Sequence, residues 1–281
     1  METHCYFESN GSRLLGVLHQ PDDTAARLPI ALVYLHGWAG YRLGPHQMFT
    51  KMARRAEALG FCSLRFDFRG RGDSEGHTQE TTLTTMIADA VRATEFVLER
   101  TGLSHVAFIG DCSGSEVALG AGPLHPAVAA QVLWSAPIVA GDRAGSDRAK
   151  KKTVLAEYGR KLFRKESWAK LIGGKLQAGQ IAKVIGTGGK GAGEQGAESD
   201  KDIDWLDRFV QFRGERLFVY GGNDPTTAAS VAHYEALCRE AKCEFHQVII
   251  PGANHAFYSL AWENQVIDES LSWLQTQTTR Q

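Results

Sequence analysis

Ile109-Gly110-Asp111-Cys112-Ser113-Gly114 decides the reading of this chain. An apolar run, His105 to Ile109, leads into it, and Ser115 to Gly120 leaves it with helical composition. A strand that turns at once into a helix must bend within a few residues. Glycines two positions before and after Cys112 remove the side chains that would collide in so tight a turn. The bend lifts residue 112 above the strand end, and the N-terminus of the following helix favours negative charge there. The residue displayed is a cysteine, whose thiolate is a strong nucleophile. Ser113 is the rival nucleophile, but a turn centred on it puts Asp111 and Ser115 where glycines are wanted. The plain alternative is that Cys112 is a small buried residue, as free cysteines usually are.

Two later segments supply partners. Tyr220-Gly221-Gly222-Asn223-Asp224-Pro225 follows the apolar run Leu217 to Tyr220, which fixes the Asp224 carboxylate at a strand's C-terminal end. Gly252-Ala253-Asn254-His255-Ala256-Phe257 follows Glu244 to Ile250, the last predicted strand. In this arrangement Cys112 attacks, His255 moves the proton, and Asp224 orients the ring and stabilises imidazolium. Taken singly, Asp224 reads as a turn-capping carboxylate and His255 as a structural histidine. A fourth element, His36-Gly37-Trp38-Ala39-Gly40, follows the run Ile30 to Leu35. The backbone N–H groups of Trp38 and Ser113 are the expected oxyanion hole, each donor being worth roughly 3–4 kcal/mol in a transition state. His36 and Trp38 are the candidate substrate-binding side chains, with bracing of the loop and packing as their alternative roles.

Outward from these segments, strands alternate with helices. Cys5 to Glu8 and Leu14 to His19 flank Asn10-Gly11, a hairpin signal. Ile30 to Leu35 is a continuous apolar run suited to a central parallel strand. Helical spacing covers Gln47 to Leu59 and Thr82 to Arg100, the latter with Met86, Ala90, Ala93 and Val97 on one face. Cys62 to Phe68 and Val128 to Trp134 are further strands, and Ala228 to Ala241 and Trp262 to Trp273 further helices. The pattern predicts an α/β fold with a mostly parallel sheet flanked by helices, built from residues 1–140 and 214–281. Residues 141–213 break the rhythm. Within 148–175 stand ten Lys or Arg and two acidic residues, and 173–196 hold nine glycines. That composition predicts an inserted cap, part helical and part flexible.

On these motifs the chain resembles the α/β-hydrolase superfamily, nearest to its serine aminopeptidase-like and esterase-like members. The resemblance covers everything but 141–213 and includes the order nucleophile, acid, histidine. Arg65-Phe66-Asp67-Phe68-Arg69-Gly70-Arg71-Gly72-Asp73-Ser74 also resembles the Asp-x-Arg-Gly-x-Gly-x-Ser loop of that group, in which Asp67 and Arg69 are expected to tie the turn near the oxyanion loop. A cysteine in the elbow is the departure, and it resembles dienelactone hydrolases and polyester synthases.

The resemblance and the thiol together imply a hydrolase of esters, thioesters or lactones working through an acyl-cysteine. An acyltransferase with the same first half-reaction and a non-catalytic binding protein are the alternatives. No cofactor and no metal are expected, because no Cys-x-x-Cys pair exists among the five cysteines and Gly186 to Gly193 lacks a strand before it and a helix after it. The expected partner is a small-molecule acyl substrate. The basic run is most simply a solvated helix face; its functional reading is a dock for anionic groups such as the phosphates of a coenzyme A-linked acyl group. A net charge of −1 gives no reason to expect nucleic-acid binding. No apolar run is long enough to span a bilayer, and the start Met1-Glu2-Thr3-His4-Cys5 lacks signal-peptide character, so a cytoplasmic protein is expected. The oligomeric state is left open.

Overall fold

The computed structural model describes residues 1–22, 27–139 and 203–278. Eight strands make one sheet: β1 (Glu2–Ser9), β2 (Ser12–His19), β3 (Ile30–Leu35), β4 (Ser63–Phe66), β5 (His105–Asp111), β6 (Val128–Trp134), β7 (Glu215–Gly221) and β8 (His246–Ile250). Their spatial order is β1-β2-β4-β3-β5-β6-β7-β8. β1 and β2 form the predicted hairpin, with Asn10 at φ 46° and Gly11 at φ 80°, the two left-handed residues that a type I′ turn needs. β2 runs antiparallel to β4, and every pairing from β4 across to β8 is parallel.

From β3 the chain goes out to β4 on one side and comes back to β5 on the other. Such a reversal opens a crevice at the C-terminal strand ends, where open α/β sheets bind ligands. His36 leaves β3 and Cys112 leaves β5 at that edge, and Asp224 and His255 follow β7 and β8 there.

Six α-helices among the described residues cover both faces: α1 (Met48–Ala58), α2 (Leu83–Thr101), α3 (Ser113–Ala121), α4 (Trp205–Gln211), α5 (Thr227–Ala241) and α6 (Leu260–Thr278). One apolar cluster joins the sheet to α2, α3, α4 and α5, and a second joins it to α1 and α6. The predicted stripe of α2, Met86, Ala90, Ala93 and Val97, is fully buried. Thr82 and Thr85 cap its start reciprocally, and Gly102 ends it at φ 71°.

Some boundaries move. β4 stops at Phe66, although Asp67 N–H still reaches Leu15 O of β2 at 2.9 Å. α6 continues past Trp273 because Leu274 and Gln277 extend its buried face. Of the expected cap at 141–213, residues 141–202 lie outside the described residues. Its last part is built into the main body: Trp205, Phe209 and Phe212 are buried against the α2–α5 cluster. Trp205 and Phe209, at i and i+4, make the apolar face of α4 amid acidic neighbours, and Phe212 follows at its end. No helix among the described residues is long and apolar enough to cross a membrane.

Candidate active site

The bend after β5 holds Cys112 at φ 51° and ψ −120°, a conformation costly for any residue with a Cβ. The bend is secured on both sides. Cys112 N–H donates to Trp134 O at 2.9 Å, Ser115 N–H donates to Cys112 O at 2.9 Å, and Ser115 Oγ reaches Gly110 O at 3.1 Å. Both glycines are required. A Cβ on Gly110 would lie 2.6 Å from Gly114 O, and one on Gly114 would overlap the Leu35 carbonyl of β3. Cys112 itself is half-buried with a free thiol.

His255 brings its Nδ1 to 2.6 Å from Asp224 Oδ2. The Cys112 side chain also interacts with the ring. The Asp224 and Cys112 contacts push the histidine up to about 10, against the opposing effect of burial. Burial alone would raise the Asp224 carboxyl, but the hydrogen bonds from His255 and Thr226 hold it below the usual carboxylate range. Thr226 gives its N–H and Oγ1–H to Asp224 Oδ1, both at 2.9 Å. The two loops are stitched together through Gly222 N–H to Ile250 O and Asn223 N–H to Ala253 O, each 2.8 Å. A side chain on Gly221 would strike the Ala253 and Asn254 carbonyls, which explains the glycine there.

The loop after β3 crosses the elbow so closely that a Cβ on Gly37 would stand 3.2 Å from Asp111 O and 3.6 Å from Cys112 Cβ. Trp38 N–H points at the elbow and donates to Ser113 Oγ at 2.6 Å. The hydroxyl of Ser113 therefore occupies the donor that the oxyanion reading reserves for a substrate oxygen. Asp111, before the nucleophile position, is desolvated; burial raises its carboxyl to about 6, opposed by the charge of His255.

His36, expected as a substrate-binding side chain, is buried in the structure. It is 1% exposed, accepts Phe68 N–H at Nε2 (3.3 Å) and faces Gly37 O with Nδ1 at 2.8 Å. Burial lowers it to about 4, and a neutral ring that accepts at Nε2 must donate from Nδ1, so it braces the loop after β3. The Trp38 indole is half-buried against the α2–α5 cluster, under the Arg71 guanidinium at 5.3 Å. Asp67 does tie the neighbouring loop, accepting Arg42 N–H at 2.6 Å and Asp73 N–H at 3.0 Å. Arg69 does not: it pairs with buried Asp89 of α2 and with Ser9 of β1.

Two supports were not foreseen. Thr226 two residues beyond Asp224 is an Asx-turn pattern that the sequence does display. Ser135, at φ 47°, donates its hydroxyl to His255 O at 2.7 Å, and nothing in Ser135-Ala136-Pro137 announces that role.

Fold and site geometry together define an α/β-fold hydrolase. The chain matches the family described as alpha/beta hydrolase fold over residues 30–259, and it belongs to that family. Among curated proteins it is 38% identical to human Protein ABHD12B over 90 residues, 32% of this chain and 24% of that protein. It is 34% identical to zebrafish (Danio rerio) Lysophosphatidylserine lipase ABHD12 over 87 residues, 31% of this chain and 22% of that protein. The chain thus matches about a quarter of the length of these relatives. Among solved structures, an esterase of Pyrococcus furiosus superposes with TM-score 0.69 at 16% identity, covering 99% of this chain and 91% of the other. Est1E of Butyrivibrio proteoclasticus, with ferulic acid bound, gives 0.68 at 16% identity over 98% and 99%. Dienelactone hydrolase of Anabaena variabilis gives 0.62 at 16% identity over 98% and 97%. These likenesses establish the fold.

Proposed function

We propose that the protein hydrolyses esters, thioesters or lactones through a covalent acyl-cysteine on Cys112. The observation that carries this reading is the His255 ring, held by Asp224 Oδ2 at 2.6 Å and interacting with the Cys112 side chain at the strand-to-helix bend. With the ring raised to about 10, His255 carries a proton at neutral pH. Cys112 sulfur attacks the substrate carbonyl, and the developing oxyanion takes hydrogen bonds from the backbone N–H groups of Trp38 and Ser113. His255 gives its proton to the departing oxygen or sulfur as that bond breaks, leaving acyl-Cys112. The now neutral ring takes a proton from water, hydroxide adds to the acyl carbon, and sulfur leaves as the acid forms. Asp224 holds the ring in one orientation and balances its charge throughout.

Sulfur is a good leaving group, so an intermediate formed on an alkyl ester or amide tends to expel Cys112 again. Thioesters, enol esters and lactones escape this because their own leaving groups depart readily; a coenzyme A-linked acyl group is one such thioester. The esterase, lipase and dienelactone hydrolase named among the similar proteins all fit acyl chemistry. The same thioester intermediate also suits transfer to a second acceptor, which would appear as product formed faster with added thiol or alcohol than in water alone. Steady-state rates on matched acyl thioesters and alkyl esters test the preference. The proposal expects kcat/KM at least about tenfold higher for the thioester, a difference of about 1.4 kcal/mol. Faster turnover of the alkyl ester would contradict it.

A further inference from the structure

At the opposite end of the sheet, α5 finishes in a turn with two cysteines. Lys242 is left-handed at φ 54°, its N–H reaches back to Arg239 O at 3.4 Å, and Cys243 N–H reaches Cys238 O at 3.0 Å. This 6→1 and 5→2 pair is the Schellman cap, which folds the side chain after the left-handed residue onto the one three places before the helix end. Here those side chains are both thiols, carried on backbones joined by the Cys243 N–H to Cys238 O bond, and Cys238 interacts with Cys243. Cys238 is 1% exposed and packed in the α2–α5 cluster. Cys243 is half-buried and lines a surface cavity of about 290 Å³ beside Arg213, Arg216 and Lys242, with Arg216 Nη1 3.6 Å from its sulfur. One thiol is thus open to solvent next to a guanidinium, and a second waits behind it.

We propose that Cys238 and Cys243 are an oxidisable pair that closes to a disulfide, with a hydroperoxide as the oxidant. Cys243 sulfur attacks the peroxide, whose O–O bond breaks to give water or an alcohol and a sulfenic acid on Cys243. Cys238 sulfur then displaces hydroxide from that sulfenic acid, the S–S bond forms, and the thiol proton leaves with hydroxide as water. Two thiols are oxidised by two electrons and one peroxide is reduced. Burial and the neighbouring Cys243 sulfur push the Cys238 thiol up to about 12. The pair lies at the strand end where β7 begins, away from Cys112, so its chemistry is separate from the acyl site.

Trypsin cuts after Arg239 and after Lys242, which puts the two cysteines on different peptides. The full-length Cys112→Ser variant, treated with hydrogen peroxide, alkylated and digested without reduction, is expected to yield those two peptides joined. The intact protein should lose two hydrogens, and dithiothreitol should restore both peptides. Cys238→Ser is expected to leave Cys243 trapped by dimedone as a sulfenic acid, and Cys243→Ser to give neither product. The native protein should also cross-link at least about tenfold faster than the chain in urea. Peroxide treatment that leaves both thiols free to alkylation, joins either one to another cysteine, or acts equally fast in urea overturns the proposal.

Discussion

Ser113 shows how much depends on single atoms around the elbow. Its backbone N–H is a proposed oxyanion donor, while its hydroxyl accepts Trp38 N–H at 2.6 Å. A substrate oxygen must therefore displace that hydroxyl before the second donor is free. A neutral hydrogen bond is worth a net 0.5–1.5 kcal/mol, roughly. Ser113→Ala is accordingly expected to lower KM by about threefold to tenfold with kcat little changed, read from steady-state kinetics; a raised KM would show that the hydroxyl helps bind substrate. Asp111 makes a second prediction. Burial raises its carboxyl from 3.8 to about 6, so between those values the folded chain holds more protons than the unfolded one. Stability from this group then falls as pH rises from about 4 through about 6, by up to roughly 3 kcal/mol. Asp111→Asn, which also gives up attraction to His255, should melt higher than the parent at pH 8, with the advantage gone by about pH 4. An equal difference in Tm at both pH values would refute that assignment.

Elements are held in place by buried polar contacts as much as by apolar packing. Asp89 of α2 accepts from the Arg69 backbone N–H at 3.1 Å, pairs with its guanidinium, and accepts Ser9 Oγ–H from β1 at 2.6 Å. One carboxylate thereby locks a helix, a strand and the loop after β4. Asp89→Ala leaves the Arg69 cation buried without its partner, for which about 3–5 kcal/mol of destabilisation is expected in urea unfolding; a loss under about 1 kcal/mol would mean the loop re-forms its contacts. The elements were largely legible in the sequence because their signals are local. The Asn10-Gly11 turn, the α2 stripe and the glycines around Cys112 each state a backbone requirement within a few residues. What escaped was either non-local or masked by composition. Arg69 reaches a helix twenty positions away rather than the adjacent loop. For His36 the sequence offered both substrate contact and bracing of its loop, and only the buried ring with both nitrogens engaged favours bracing. The apolar face of Trp205 and Phe209 was hidden by the acidic residues around it.

At the scale of the whole molecule, one sheet edge gathers segments nearly 220 positions apart in the chain, from His36 to His255. The topology alone does this: parallel strands end on the same side, and the reversal between β3 and β5 leaves room for a ligand. On this account, Cys112 becomes acylated at that edge. Intact mass spectrometry after brief incubation with an acyl thioester tests the claim directly. The wild-type protein is expected to gain one acyl group, mapped by digestion to Cys112, and Cys112→Ala to gain none while Ser113→Ala still does. An acyl group found on Ser113, or equal labelling of wild type and Cys112→Ala, would contradict it.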